Sequence, residues 1–359
     1  MPQRAIVFAP YIERDGKLYS EHYDLPGYRA EISDWMTALG VDWEWRPVCS
    51  ANLQRELARA ATAMTQASTV VFNLCDGTEA DGYPGIEVVE GLANAGIPYT
   101  GADPEFYRVT TSKAISKKLF AAAGVSTAPY FLLQRGAADL DAAIDAIGFP
   151  LFIKPDVSAG SYGIQVDSVC RDRAAAERKI GQLLSGLHGQ HFEKNGILAE
   201  AFVEGREFTV LAVEDPGEPM GLKVVPAGER VFDKRVPPEE RFLAFERYWE
   251  LPEDNRRLPP GEPYYWYELA PAPWRDELAT LTRKAMRAVG GNGYARADIR
   301  YDEARKMFFV LEVNAQCGLS ADDSATVGSM LRLSGLNIVD IIERVLAHAS
   351  TRRAAVSAG

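Results

Sequence analysis

The chain has 359 residues, of which 47% are hydrophobic and 25% charged, a composition typical of a soluble globular protein with two or three domains. Its net charge of -11 argues against a nucleic-acid-binding protein, because such proteins carry a basic face. The four cysteines are scattered and form no CxxC pair, which argues against a zinc site. The N-terminus lacks a signal sequence, and no apolar run reaches the ~18 residues that a membrane span needs. We therefore expect a reduced, cytoplasmic protein.

The first hundred residues predict alternating strands and helices. Short apolar runs predict strands at 4–10, 43–48, 68–75 and 97–101, and apolar residues at helical spacing predict helices at 28–40, 52–67 and 85–96. Because strands that alternate with helices usually pair in parallel, this rhythm predicts a parallel sheet with helices on its faces.

From about residue 102 the pattern becomes that of a small α+β protein. It predicts helices at 111–125, about 172–186 and about 337–348, and strands at 150–156, within 196–215, at 295–302 and at 307–314. Residues 215–275 are rich in Pro, Glu and Arg and show little periodicity, which predicts a long functional loop. We expect the C-terminal tail 351–359 to be loose.

Polar side chains interrupt the last two predicted strands. Glu312 and Asn314 are two residues apart in an apolar strand and therefore face the same side, while Arg296 and Asp298 occupy the preceding strand. Carboxylate and amide oxygens are hard ligands that suit Mg²⁺ together with bound water and phosphate. The pattern predicts a magnesium site; exposed polar residues at a sheet edge are the alternative interpretation.

A lysine at the end of the strand 150–156 precedes a loop of small residues. Lys154 is followed by Gly160, Ser161 and Gly163, and such a loop can hold a polyphosphate through its backbone N–H groups and the lysine charge. The loop is neither a Walker motif nor a GxGxxG motif, and an ordinary turn between two strands is the alternative.

Two acids lie in the half-apolar stretch 198–208. Glu200 can accept an N–H group from an amine, and Glu207 can bind two ribose hydroxyl groups. A solvated hairpin with paired charges is the alternative for these two residues.

Four segments, taken together, resemble a known family. The segments "FNLCDG…IPYTG…TSKAISKKLFAAAGV", "GFPLFIKPDVSAGSYGI", "ILAEAFVEGREFTV" and "ARADIRYD…VLEVNAQCGLS" occur in the order and spacing of the D-alanine–D-alanine ligase group of the ATP-grasp superfamily, over roughly residues 68 to 346. The resemblance implies an ATP-grasp fold, α/β and α+β, in three domains. These are an N-terminal parallel-sheet (pre-ATP-grasp) domain at 1–102, a central subdomain with the glycine loop at 103–195, and a C-terminal domain at 196–350 with the metal site and a long lid loop at about 227–268.

The resemblance also implies the cofactors, which are ATP and two Mg²⁺ ions with Mn²⁺ as a substitute, and the residues that hold them. The implied nucleotide-binding residues are Lys113 and Lys154 at the phosphates, Gly160, Ser161 and Gly163 over them, Glu200 with the backbone of Ala201 and Val203 at the adenine, and Glu207 at the ribose. The implied metal ligands are Asp298, Glu312 and Asn314, and the implied catalytic residues are Arg296 and the N–H of Gly318, which face the oxyanion, together with Ser161.

The implied reaction is amide or peptide bond formation by an ADP-forming ligase. Because a carboxylate is a poor acyl donor, the γ-phosphoryl group of ATP is first transferred to it, and an amine then attacks the acyl phosphate. Hydrogen-bond donors aimed at the oxyanion and a lid that excludes water belong to such a site. The implied partners are small molecules, without nucleic acid or membrane, and a second copy of the chain through the helix 85–96.

The sequence departs from the family pattern at the substrate pockets. Glu13 or Glu21 would have to replace a glutamate of the family, and Cys75 or Asp76 stands where the family has a histidine. Cys317 replaces a proline of the family. The lid is longer than in the family and carries the aromatic residues Trp249, Tyr264, Tyr265, Trp266 and Tyr267.

These departures lead us to expect an amide-forming ligase of specialised metabolism, which joins an amino acid to another amino acid or small acid, rather than an enzyme of cell-wall synthesis. The alternatives are a true D-alanine–D-alanine ligase, an acyl or carboxyl kinase or carboxylase subunit, and a non-catalytic nucleotide-binding module. The joint presence of Arg296, Asp298, Glu312 and Asn314 argues against the last.

Overall fold

The computed structural model describes residues 1–64, 68–78, 81–187, 189–190, 192, 194–248, 258–259 and 261–356, and the side chains as far as residue 351. Within these ranges the chain forms an N-terminal, a central and a C-terminal sheet, each with helices packed against it, and a small separate hairpin. No helix in the described part of the chain is both long enough and apolar enough to cross a bilayer.

The N-terminal sheet is parallel, as the alternation of strands and helices predicts. Its strand order is β4-β1-β5, and Val71 extends it through a parallel bridge to Tyr99. The elements up to this point are β1 (Arg4–Pro10), the hairpin β2 (Ile12–Arg14) and β3 (Lys17–Tyr19), α1 (Pro26–Leu39), β4 (Asp42–Val48), α2 (Leu53–Ala63), β5 (Thr69–Asn73) and α3 (Ile86–Asn94). The hairpin was not predicted, because its exposed strands have no apolar face.

Both faces of β1 are buried. Ile6 and Phe8 join one hydrophobic cluster, and Ala5 and Val7 join the cluster on the opposite face. A strand that is covered on both sides has no polar face to present, which is why β1 reads as a continuous apolar run.

The central sheet is antiparallel, with the strand order β6-β9-β7-β8. The elements of this region are α4 (Pro104–Thr111), α5 (Lys113–Ala122), β6 (Tyr130–Leu133), α6 (Leu140–Ile147), β7 (Leu151–Pro155), β8 (Val169–Cys170), α7 (Arg173–Leu184) and β9 (Ile197–Ala201). Because β9 pairs with β6 and β7, the expected boundary between residues 195 and 196 is wrong for this strand. The central sheet continues to residue 201, and the C-terminal unit begins after it.

The C-terminal sheet is also antiparallel, in the order β13-β12-β10-β14-β15, with β11 paired to β10. Its elements are β10 (Gly205–Glu214), β11 (Leu222–Val224), β12 (Gly228–Phe232), α8 (Phe245–Tyr248), β13 (Tyr265–Leu269), α9 (Ala272–Ala288), β14 (Tyr294–Asp302), β15 (Met307–Ala315), α10 (Thr326–Ser334) and α11 (Ile338–Val356).

The described residues of the long loop that the sequence predicts at 215–275 include regular secondary structure, which corrects that prediction. It contains β11, β12 and β13, so the expected lid at about 227–268 begins and ends in paired strands. Strand pairing uses backbone groups, so strands form here although a sequence rich in Pro, Glu and Arg has weak strand propensity. Tyr265, Trp266 and Tyr267 accordingly lie on β13, and Trp249 lies outside the described residues.

The C-terminal helix α11 extends further than predicted and joins two of the sheets. The expected loose tail begins at residue 351, but α11 continues to Val356, while 357–359 lie outside the described residues. Ile342 and Val345 of α11 belong to one hydrophobic cluster with Phe72 of β5 and Leu211 of β10. This shared core holds the N-terminal sheet against the C-terminal sheet.

Candidate active site

The three predicted metal ligands converge at the paired strands β14 and β15. Asp298 lies opposite Glu312 in the register, Arg296 lies opposite Asn314, and the register shifts directly after Asp298. The Asn314 Nδ2 atom donates to Asp298 Oδ2 at 2.9 Å and to Glu312 Oε1 at 3.3 Å. A register shift of this kind re-aims side chains, and here it leaves the two carboxylates close to one amide.

Asp298 is held in its ionised form. Burial by itself would raise the pKa of Asp298, but the Arg296 guanidinium, the Arg230 charge and the Thr209 hydroxyl together lower it. The Thr209 Oγ1 atom donates to Asp298 Oδ1 at 2.9 Å. An ionised carboxylate is the form that binds a cation.

The donor set of Asp298, Glu312 and Asn314 fits Mg²⁺. With the Asn314 amide turned by half a rotation, its Oδ1 atom replaces Nδ2 beside the two carboxylates, and all three residues present hard oxygen donors. In the part of the chain that the structure describes, no group of three His, Cys, Asp or Glu side chains offers a metal site. The set of Asp298, Glu312 and Asn314 differs from such groups because one of its three members is an amide.

Lys113 lies between the glycine loop and β15, the strand that carries Glu312. It is the first residue of α5, its side chain is buried, and its Nζ atom donates to the Ser158 carbonyl oxygen at 3.0 Å. The same atom lies 3.9 Å from Glu312 Oε2. Burial lowers the pKa of Lys113, and the Glu312 carboxylate opposes this effect. Lys113 thus places one positive charge between the predicted metal site and the predicted phosphate loop.

Three residues of the glycine loop have left-handed backbone conformations. Gly160, Ser161 and Gly163 have φ angles of 54°, 61° and 79°. A Cβ atom on Gly163 would lie 2.5 Å from Pro155 Cγ, so this position excludes a side chain. The Ser161 hydroxyl donates to the Leu243 carbonyl oxygen at 3.0 Å, so it is bound to a neighbouring loop in this structure.

That neighbouring loop is residues 233–248 of the expected lid, from the end of β12 to the end of α8, which we call the connecting segment. The Phe245 N–H donates to the Ile164 carbonyl oxygen at 2.8 Å. Phe242 packs edge-on against Phe152, with ring centroids 5.1 Å apart, and also contacts Phe202. The connecting segment therefore lies against the glycine loop and the central sheet.

Glu200 lies between two lysines in the central sheet. Its Oε1 atom is 2.6 Å from Lys154 Nζ, and its Oε2 atom is 2.8 Å from Lys117 Nζ. Burial by itself would raise the pKa of Glu200, but the two ammonium groups outweigh burial and hold this pKa at about 2. The solvated hairpin considered for Glu200 is therefore wrong, because the residue is buried and doubly paired.

Sequence reasoning missed Lys117. It lies one helical turn after Lys113 on α5, and its side chain is fully buried. The signal was available, because residues four apart on a helix share a face and Lys113 was already assigned to the phosphates.

The backbone after Glu200 continues along the predicted adenine site. The Ala201 N–H donates to the Pro129 carbonyl oxygen at 2.8 Å, and Val203 is buried against Ala128 and Phe309. The roles assigned to Ala201 and Val203 at the adenine stay predictions.

Glu207 is also buried and paired. It forms an ion pair with Arg230, and its Oε2 atom lies 3.8 Å from Arg300 Nη1. In the alternating pattern of β10, Glu207 shares a sheet face with Thr209, which contacts Asp298. Binding of a ribose by Glu207 stays a prediction, and this residue would bind it from within a buried ion pair.

The N-terminal sheet contributes a loop to the same cleft. The Gln316 Nε2 atom, just after β15, donates to the Cys75 carbonyl oxygen at 3.2 Å, and the Tyr107 hydroxyl donates to the Gly77 carbonyl oxygen at 2.7 Å. The Cys75 thiol is buried, whereas the Asp76 side chain between these two anchors is exposed. Of the two residues that the sequence left open, Asp76 is the one that reaches solvent.

The surroundings of Asp76 disfavour its charge. Enclosure by the protein raises the pKa of the Asp76 carboxyl to about 7, and the Asp81 carboxylate adds to the effect. Because the carboxyl also reaches solvent, a cationic group can approach it directly. A ligand with an ammonium group would favour the ionised form.

Gly318 lies in the loop that follows β15, beside the same cleft. It is exposed, and a Cβ atom placed on it would meet no atom within 4 Å. The loop is fixed to α1, because the Tyr28 hydroxyl donates to the Leu319 carbonyl oxygen and the Ser320 hydroxyl donates to Glu31, both at 2.9 Å. The role of the Gly318 N–H stays a prediction.

The two candidate glutamates near the N-terminus differ in position. Glu13 is exposed on the β2–β3 hairpin. Glu21 is exposed too, but its N–H donates to the Tyr83 hydroxyl at 3.2 Å. Burial raises the pKa of Tyr162 in the glycine loop, and the Glu21 charge contributes to that rise. Glu21 is therefore the one of the pair whose charge acts on the glycine loop.

These features define an ATP-grasp ligase, in which two α+β units enclose a cleft with lysines and a glycine loop on one side and paired acidic strands on the other. The family model described as "D-ala D-ala ligase C-terminus" matches residues 119–347, and the chain belongs to this family. It is an ATP-dependent, ADP-forming carboxylate–amine ligase.

Known relatives agree with this assignment. The chain is 29% identical to the D-alanine--D-alanine ligase of Xanthomonas axonopodis pv. citri, over 88% of this chain and 86% of the relative. It is 28% identical to the D-alanine--D-alanine ligase of Geobacter sulfurreducens, over 76% of this chain and 75% of the relative.

Solved structures show the same fold. The D-alanine--D-alanine ligase of Bacillus anthracis superimposes with a TM-score of 0.68 at 17% identity, covering 99% of both chains. The same protein complexed with ATP gives a TM-score of 0.65 at 16% identity and again covers 99% of both chains.

Proposed function

We propose that the chain joins a carboxylate to an amine through an acyl phosphate, with ATP as the phosphoryl donor and Mg²⁺ at Asp298, Glu312 and Asn314. The observation that carries the proposal is the position of Lys113, whose ammonium group contacts Ser158 and lies 3.9 Å from Glu312. One cation between a glycine loop and an acidic strand suits a triphosphate that spans the two. When bound there, Mg²⁺ supplies neutralisation of the phosphate charge.

The residues of the cleft divide the remaining work in this proposal. Lys113 and Lys154 hold the phosphates, and the Glu200 carboxylate accepts a hydrogen bond from the adenine amino group. The carboxylate substrate attacks the γ-phosphorus, ADP leaves, and the amine then attacks the acyl carbon and displaces phosphate. Arg296 and the Gly318 N–H donate to the oxyanion that forms at that carbon.

The connecting segment keeps water from the acyl phosphate in this proposal. Its contacts with Ser161 and Ile164 hold the glycine loop, and its aromatic residues pack on the central sheet. An acyl phosphate that meets water is hydrolysed, so these contacts favour transfer to the amine.

Both substrates are proposed to be small amino acids, with D-alanine as the reference pair because the relatives are D-alanine--D-alanine ligases. A ligase with another amine substrate, in specialised metabolism, is the second candidate. Asp76 favours it, because this exposed acid lies beside the cleft in place of the histidine of the resembling family and suits a substrate with a further cationic group.

A homodimer through α3 is proposed as well, on the analogy of the resembling ligases alone. Val88, Val89 and Leu92 of this helix are buried within the chain itself. The contact would therefore use its outward polar face, which sedimentation of the purified chain can test.

Product analysis tests the proposed reaction. Purified protein is incubated with Mg²⁺, ATP and either D-alanine alone or a pool of amino acids and amines, and products are identified by mass spectrometry beside ADP and phosphate release. An amide product with one ADP for each bond supports the proposal, and D-alanyl-D-alanine as that product identifies the reference pair. Hydroxamate trapping that is equal with and without an amine would instead indicate a carboxyl kinase.

A further inference from the structure

We propose that Lys117 is a positioning residue, which keeps Glu200 ionised and oriented toward the adenine while Lys154 moves to the phosphates. The inference rests on the proposed function, because it uses the role of Glu200 at the adenine. Lys117 is fully buried, and its Nζ atom lies 2.8 Å from Glu200 Oε2.

Lys117 is itself anchored to the strand that carries Glu312. Its Nζ atom donates to the Thr127 hydroxyl at 2.8 Å, and this hydroxyl donates to the Val310 carbonyl oxygen at 2.8 Å. Val310 lies on β15, two residues before Glu312. The chain of contacts from Glu200 through Lys117 and Thr127 to β15 therefore links the predicted base site to the predicted metal strand.

The charge balance explains why two lysines meet one carboxylate. Lys154 and Lys117 both pair with Glu200, so the cluster has one positive charge in excess. If Lys154 turns to a phosphate group of ATP, a Glu200 without Lys117 would be left as a buried charge without a counter-charge, which is strongly unfavourable. Lys117 thus keeps Glu200 paired after Lys154 has turned to ATP.

A purely structural role for Lys117 predicts a different result. Loss of a structural residue weakens the fold and reduces the binding of every nucleotide alike. Loss of a positioning residue for Glu200 selectively reduces the preference for nucleotides that carry the adenine amino group, since only that group contacts Glu200 in the proposal.

The test compares Lys117→Met with Lys118→Met, an exposed lysine next to it on the same helix. Equilibrium binding of ATP and of purine riboside triphosphate, which lacks the amino group, is measured by calorimetry without the other substrates. For Lys117→Met we expect ATP affinity to fall by about tenfold or more, the size of a lost charge-assisted hydrogen bond, and the preference for ATP over the analogue to disappear. Lys118→Met should behave as wild type.

Equal weakening of both nucleotides in Lys117→Met would overturn the inference. If Lys117→Met does not fold, Thr127→Val takes its place, because it removes only the anchor of the lysine and should lower the same preference by about two- to fivefold. An unchanged preference in Thr127→Val then overturns the inference. Binding needs no acyl acceptor, so a wild-type chain that binds ATP but joins no substrates refutes the proposed function and not this inference.

Discussion

The Arg296 guanidinium holds the Asp298 carboxylate by two hydrogen bonds, from Nε to Oδ1 at 3.1 Å and from Nη2 to Oδ2 at 2.9 Å. One of these residues is the predicted oxyanion donor and the other a predicted metal ligand. A paired fork of this kind fixes both groups in direction as well as distance. The direction of the Arg296 guanidinium is thus fixed by Asp298, the residue that is proposed to act as a metal ligand.

Arg296→Lys should separate catalysis from nucleotide binding. A lysine offers a single point charge and cannot hold both Asp298 oxygens while it donates to an oxyanion. We expect kcat to fall by roughly 10²- to 10³-fold, as for the loss of an oxyanion donor, with little change in the KM for ATP. Steady-state kinetics measure both quantities. Arg305→Lys, at an exposed arginine that also pairs with an aspartate, Asp302, is the matched control. A wild-type kcat in Arg296→Lys would contradict the role.

Glu312→Gln should nearly abolish turnover and leave the fold intact. The substitution removes one proposed anionic metal ligand and the charge that faces Lys113 at 3.9 Å. We expect a loss of about 100-fold or more in kcat and a higher Mg²⁺ requirement. Activity against Mg²⁺ concentration and circular dichroism provide the measurements. Glu303→Gln, an exposed residue beyond β14, is the control, and an unfolded Glu312→Gln would mean that the residue is structural.

Phe242→Ala should loosen the connecting segment. Phe242 is buried between Phe152 and Phe202, so its truncation should cost about 3 kcal/mol of unfolding free energy. Because the segment also holds the glycine loop, ATP hydrolysis without amide formation should increase. Denaturant unfolding and the ratio of phosphate to product measure the two effects. Tyr19→Ala, an exposed aromatic residue, is the control; a wild-type ratio in Phe242→Ala would separate this segment from water exclusion.

Asp76→Asn should affect the amine-bearing substrate and not ATP. We expect the KM for the amine-bearing substrate to rise about tenfold, because one charge-assisted contact is lost, while the affinity for ATP stays unchanged. The pKa of Asp76 is raised to about 7, so the ionised form is lost as pH falls through that value and the wild-type kcat/KM should fall with it. In Asp76→Asn this fall in kcat/KM near pH 7 should vanish. Asp34→Asn, at an exposed residue, is the control and should keep it. An unaltered pH profile in Asp76→Asn argues against substrate contact.

Glu200 should give the fold a distinct pH dependence. Its pKa falls from an ordinary 4.5 to about 2, so the unfolded chain binds more protons between these values. The contribution of Glu200 is therefore complete above pH 4.5 and is lost as pH falls toward 2. The difference in unfolding free energy between wild type and Glu200→Gln should shrink by on the order of 3 kcal/mol across this window. Denaturant unfolding at several pH values measures this difference, with Glu177→Gln, at an exposed residue, as the control. A difference in unfolding free energy that does not change with pH would contradict the pairing of Glu200 with the two lysines.

Several features of the site were predictable because they depend on neighbours along the chain. The spacing of Glu312 and Asn314 places both on one face of a strand, and the glycines after Lys154 indicate a loop at the end of a strand. The parallel N-terminal sheet follows from the same local patterns, since buried strands show as apolar runs.

Other features were not predictable because local pattern carries no information about them. The strands β12 and β13 lie in a region rich in Pro, Glu and Arg, and they pair through backbone groups that every sequence possesses. The domain boundary was misplaced for a related reason, since β9 belongs to the central sheet by pairing with β7 and not by any feature of its own sequence.

The amino-acid sequence alone determined which residue types were available and the class of chemistry they support, because strand alternation and loop glycines act over a few residues. Only the tertiary structure decided which charges meet. Thr209 contacts Asp298 across 89 residues of sequence, and Glu200 is shared by lysines from a helix and a different strand. Such pairs depend on the packing of distant elements and on desolvation, which have no local signature.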